Sequence, residues 1–223
     1  MTTKKTTTKK TTTKSVAAPK ITRTIIEIPA LNEQVLMLKI VGDTPLITHK
    51  WSERQKKKIR DKQAKQASNA KEARDPWQEF CESMYWLTEM PMVPTEEDIK
   101  EAKFGFKSIA LKDAAVTACT SVSSVTKVAA RQAFHVVGEF LEIQSNPPYM
   151  REDAVRIGMG TSDLRYRGCF DNWSVTFKVR FNADLISTEQ LTHLFNIAGF
   201  AVGLGEWRPE KNGQNGMFHV DRA

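Results

Sequence analysis

The clearest periodicity in the chain is the alternation Trp173, Val175, Phe177, Val179, Phe181, which predicts a half-buried strand over 173–181. Ser187 follows with Gln190 three residues on, a capping box that opens a helix over 188–201. A glycine-punctuated loop, 203–216, then leads to a short terminal strand over 217–220. Near the other end, an aliphatic run over 35–41 reads as a buried strand ended by Gly42-Asp43 and Pro45. Residues 52–73 read as a long polar helix capped by Ser52, with an apolar stripe reduced to Ile59 and alanines. Asp75-Pro76 is expected to stop it, and 77–88 to form a second, more amphipathic helix. The run 109–122 predicts a buried helix, and 134–143 a strand with Gly138 as a bulge position. Residues 150–170 read as a polar excursion.

Without two insertions, about 44–104 and 144–172, the order is strand, helix, strand, strand, helix, strand. That order predicts an α+β fold, a ferredoxin-like (RRM-like) βαββαβ core carrying a helical insertion after strand 1 and a loop or hairpin insertion between strands 2 and 3. The expected organisation is one domain over 25–223 behind an arm.

Charge changes the picture. Residues 1–24 hold six Lys and one Arg with no acid, so this Thr/Lys-rich segment carries the whole formal net charge of +7. It is expected to be a disordered basic arm, because it has too little apolar surface to offset chain entropy. The remainder is neutral but uneven: 50–74 contains ten basic and three acidic residues, with Lys56, Lys57 and Lys58 at its centre. A basic patch on an otherwise acidic body points to an anionic ligand. Cys81, Cys119 and Cys169 are sparse and far apart, which fits three plain thiols in a reducing compartment. The start of the chain lacks a signal peptide's apolar segment, and no apolar run approaches membrane-spanning length, so the cytoplasm is the expected location.

The candidate chemistry is that of binding. Trp207, Arg208 and Lys211, beside Gly203 and Gly205, provide a stacking face and two cations on a loop that can approach a ligand closely. Arg151, Arg165, Tyr166 and Arg167 gather in the second insertion, a pattern suited to tracking and stacking along a single strand. Lys112, in the first turn of a buried helix, is placed to meet a phosphate. The alternatives are ion pairs with Glu152, Asp153, Asp163, Glu206 and Glu210, and a Trp207 that plugs the core. His49, at the exit from the first strand, reads as a cap or packing residue. No phosphate-binding P-loop, H-E-x-x-H or G-x-S-x-G motif is present, and Gly203-x-Gly205 lacks the third glycine of a dinucleotide fingerprint. Asp153, Asp163 and Asp171 are the residues a Mg²⁺ nuclease would need, at spacings that carry no information. A non-catalytic protein without cofactor is therefore expected.

The segment Phe106-Lys107-Ser108-Ile109-Ala110-Leu111-Lys112-Asp113-Ala114 resembles the strand-to-helix element of the RAMP superfamily, the backbone subunits of CRISPR effector complexes. Gly203-Leu204-Gly205 with Gly216-Met217-Phe218 is similar to that family's C-terminal glycine-rich loop, although Asp113 stands where the family usually has Gly. The chain also resembles bacteriophage proteins bearing Met-Arg-Glu-Asp and Gly-Glu-Trp-Arg-Pro-Glu-Lys segments, here at 150–153 and 205–211. The resemblance implies a single-stranded RNA or DNA lying across the sheet and the glycine loop, with copies of the protein side by side along it. The competing expectation is a structural or assembly protein whose Lys-rich helix meets an acidic partner.

Overall fold

The computed structural model describes residues 27–65, 73–158 and 160–221. The expected arm and the end of the expected Lys-rich helix fall outside these residues. The chain divides into Met1–Ala30, of which 27–30 are described and exposed, and Leu31–Ala223. The second unit is mixed α+β with antiparallel sheets.

Its elements begin with β1 (Glu33–Gly42), β2 (Leu46–Ile47), α1 (Glu53–Gln63), α2 (Pro76–Glu82), β3 (Tyr85–Trp86) and α3 (Glu96–Glu101). Then come β4 (Phe104–Lys107), α4 (Ser108–Ala118), α5 (Lys127–Ala133), β5 (Phe134–Val136) and β6 (Phe140–Ile143). The hairpin β7 (Tyr149–Ile157) and β8 (Thr161–Phe170) precedes β9 (Ser174–Asn182), α6 (Thr188–Ala201) and β10 (Phe218–Val220). Three antiparallel sheets result, ordered β10-β1-β9-β5, β2-β8-β7 and β3-β4-β6.

The strand β9 shows why the first sheet is one-sided. Val175, Phe177, Val179 and Phe181 are buried while Thr176, Lys178 and Arg180 are exposed. Its neighbour β1 turns Leu38 and Ile40 inward and leaves Val35 and Met37 each 56% exposed, so the expectation of a wholly buried first strand is corrected. Helices α4 and α6 pack together behind the sheet, and Leu111, Ala115, Leu191 and Phe195 join the core with Phe134 and Phe177. The predicted capping box is present: the Ser187 hydroxyl accepts from Gln190 N, and Gln190 Oε1 accepts from Ser187 N. Gly199 lets α6 approach the Phe218 carbonyl more closely than any Cβ would permit.

Several predicted elements change. The single strand expected over 134–143 is two strands in different sheets, Phe134 pairing with Phe181 and Phe140 with Lys107. Gly138 adopts φ +98°, a left-handed turn between them that glycine permits. Asp75-Pro76 does not stop a helix but starts one: Asp75 caps α2 through Trp77 N and Gln78 N, with Pro76 at its first position. That helix ends at Glu82, and Tyr85–Trp86 pairs with β4. Helix α4 ends at Ala118 in a short 3₁₀ turn. The polar excursion is an ordered hairpin, paired from Tyr149 with Cys169 to Ile157 with Thr161. Among the described residues no helix is long and apolar enough to cross a membrane.

Candidate functional site

The glycine loop is built mainly to hold itself. Gly203 and Gly205 have φ +71° and +72°, and a Cβ on Gly205 would collide with the Ile47 carbonyl oxygen. Gly205 therefore serves the approach of the loop to β2, and Gly203 the packing of the loop against its own Pro209, rather than leaving room for a ligand. Arg208 donates to Glu210 Oε2 at 2.6 Å and to the Gly205 carbonyl at 3.0 Å. Lys211 is 4.0 Å from the same Glu210 carboxylate. Trp207 takes φ +55°, and its indole is not sunk in the core and lines neither the cleft nor the furrow described below. Between the loop and α4 lies a cleft of about 650 Å³ with Lys107, Lys127, Arg131 and Arg208 set against Asp113, Glu206 and Glu210.

The denser positive charge lies elsewhere. Helix α1 begins where Ser52 accepts from Gln55 N at 3.2 Å, and it buries none of its residues. Beside it runs a furrow of about 530 Å³ against α2 and β8. Its described walls carry Lys50, Arg54, Lys58, Arg74 and Arg165 against the carboxylates of Glu79 and Asp163. Among the described lining residues, cations outnumber carboxylates in the furrow by more than in the glycine-loop cleft. Arg74 organises the furrow: it pairs with Glu79 and Asp163 and donates to the Leu164 carbonyl at 2.7 Å. Arg165 shares Asp163 at 3.0 Å. Tyr166 forms part of the wall.

A second cavity, a slot of about 450 Å³, shares His49, Gln55, Lys58 and Arg165 with the furrow and adds Trp51, Ile59, Val155 and Arg167. Trp51 is 57% exposed, more than Trp207 at 40%. Arg167 closes the slot from the hairpin. It is buried, sits 3.3 Å from Asp153, and has a buried Nε without a hydrogen-bond partner. Asp153 also accepts from Arg151 Nε at 2.9 Å. His49 lies 3.1 Å from Glu206 and belongs to furrow, slot and cleft alike. The lone histidine read as a cap is thus a junction residue.

The structure disperses the residues singled out from sequence. Arg165 and Tyr166 reach the furrow with Lys58, but Lys56 pairs with Glu53 and Lys57 is simply exposed. Lys112 lines neither furrow nor cleft: its Nζ donates to the Arg131 carbonyl at 3.2 Å and lies 3.0 Å from His135 Nδ1. Burial lowers its pKa. Arg167 was expected on an open surface and is buried, and Arg151 is tied to Asp153. Lys112, Arg165 and Trp207 therefore share neither the furrow nor the cleft. The open face of the first sheet presents Val35, Met37, Lys39, Thr176, Lys178 and Arg180, with no aromatic ring at these positions on which a base could stack.

Lys50, Trp51, Arg54 and Arg74 were not singled out, although the first and last bound the basic block. The helical spacing of Gln55, Lys58 and Ile59 was a usable signal, since it sets three slot-lining residues on one side of α1, with Trp51 just before its cap. Asp153 and Asp163 are each held by two arginines. Among the described residues no group of three or more His, Cys, Asp or Glu side chains is arranged to hold a metal ion. The three cysteines are free and buried, and burial pushes the Cys81 thiol up to about 12. No family model matches the chain, and no curated protein matches it in sequence.

Proposed function

We propose that this chain is a non-catalytic, single-stranded nucleic-acid-binding protein that holds a stretch of phosphate backbone in the furrow beside α1. The observation that carries this reading is that cations outnumber carboxylates among the described walls of one furrow, next to an exposed tryptophan. Lysines and arginines at that density exchange condensed counterions for phosphates, a gain that needs no sequence recognition. An exposed ring beside them favours a single strand, whose base faces are open to stacking, over a duplex.

The finer fold reading belongs to the same proposal. The order β10-β1-β9-β5, with α4 and α6 packed together, supports a ferredoxin-like (RRM-like) core made of β1, α4, β5, β9, α6 and β10. In this reading α1 to α3 form the first insertion and the β7–β8 hairpin the second. The chain is then a bacteriophage-encoded relative of the RAMP backbone subunits, working in the host cytoplasm, with copies lying side by side along the strand.

Fluorescence anisotropy with labelled single-stranded RNA and DNA tests the binding. Three neutralised phosphates predict a log–log salt slope of about −2, or about twenty-fold weaker binding between 50 and 200 mM salt. Binding to neither polymer at 50 mM salt would sink the proposal. An acidic protein partner on α1 is the competing reading; assembly seen by light scattering without any nucleic acid would favour it.

A further inference from the structure

We infer that the slot across α1 from the furrow is a nucleotide pocket, taking one nucleobase between Trp51 and the Ile59–Val155 wall with its phosphate on Lys58 and Arg165. The inference deepens the proposed function and rests on it for the choice of ligand class.

Three observations carry it. The slot is of small-ligand size, since its volume of about 450 Å³ lies in the ordinary range of about 300–1,000 Å³. Its apolar members are exposed: Trp51, just before α1, is 57% exposed and Ile59, on α1, is 39% exposed. An indole beside aliphatic walls matches the flat, weakly polar face of a base, and no described protein ring covers it. The third observation is Arg167, a cation only 5% exposed that nevertheless lines the slot and is held there by Asp153.

The shared residues explain how furrow and slot would work together. Lys58 and Arg165 border both cavities. A backbone lying along the furrow can therefore turn one nucleotide past Lys58 into the slot while its phosphates keep the same cations. The slot recognises the end or a turned-out unit of a strand, and it should take a nucleoside 5′-monophosphate alone.

The test is titration of the full chain with 5′-AMP, adenosine and inorganic phosphate, followed by tryptophan emission. AMP is expected to quench saturably, and adenosine and phosphate to bind at least about tenfold more weakly, because each lacks one half of the contact. Trp51→Ala should remove the quenching, and Val155→Phe, which fills the slot while leaving the indole in place, should remove it too. Circular dichroism melts verify that both variants fold. Quenching by AMP that persists in Val155→Phe, or no quenching in the parent protein, would overturn the pocket. Oligonucleotide anisotropy on the same samples separates the two claims. Strand binding without AMP binding removes the pocket alone, whereas AMP binding without strand binding removes the polymer function and keeps the pocket.

Discussion

His49 Nδ1 lies 3.1 Å from Glu206 Oε1, and this contact joins the exit from β2 to the glycine loop. Its hydrogen bond, more than any other influence, holds the Glu206 carboxyl below its ordinary value of 4.5, with Arg167 and Arg208 adding to the effect against the opposing pull of burial. A carboxyl depressed in the folded state stabilises the fold above its unfolded pKa, and that contribution is lost as pH falls through the folded value. Glu206→Gln is therefore expected to melt below the parent at pH 6, with the gap closing below about pH 4.5. Thermal melts across this range check it; a gap that stays constant down to pH 3 would contradict the assignment.

Asp153 serves two arginines, so its loss is expected to cost more than the loss of either donor to solvent. Asp153→Ala leaves the buried Arg167 without its carboxylate and should destabilise the protein by about 3 kcal/mol. Arg151, at 37% side-chain exposure, keeps access to water, and Arg151→Ala should cost less than about 1 kcal/mol. Urea denaturation measures both, and equal costs would mean that Arg167 finds another partner.

Gly199 stands where α6 meets β10, and an alanine there would drive its Cβ into the Phe218 carbonyl. Backbone cannot yield as a side-chain end does, so Gly199→Ala should cost about 2–3 kcal/mol despite alanine's better helix propensity. For a chain of this size that is a fall in Tm of about 5–10 °C. A rise in Tm would show that helix and strand separate freely.

Charge changes should sort by location rather than by residue type. Lys58→Ala and Arg165→Ala, both in the furrow, are each expected to reduce the magnitude of the salt slope for oligonucleotide binding by about 0.7. Lys112→Ala should leave affinity within about twofold, since its ammonium already serves Arg131 and His135. Anisotropy at several salt concentrations distinguishes these outcomes, and a large Lys112 effect would move the binding surface to α4.

What was legible in the chain followed from periodicity with a hydrophobic partner. The run of Val175, Phe177, Val179 and Phe181 and the Ser187–Gln190 box each announce one element, and both elements stand where expected. The β7–β8 hairpin was legible only as a loop or hairpin insertion, its strands unplaced, because both faces carry charge: Arg151 and Asp153 occupy one, Glu152 and Arg156 the other. The division at Gly138 was hidden for a different reason, because a bulge and a turn between sheets use the same left-handed residue. The basic block was visible as charge, but which cations share a furrow depends on how α1 lies against β8. That placement is a tertiary fact with no local signature.

Because none of the residues of α1 is buried in the core, its detachment forfeits little apolar packing. Its amides should exchange with deuterium long before those of β9, and a protease should nick it first. Bound polymer would then be felt as a slowing of both processes, giving occupancy a kinetic signature that needs no label on the ligand.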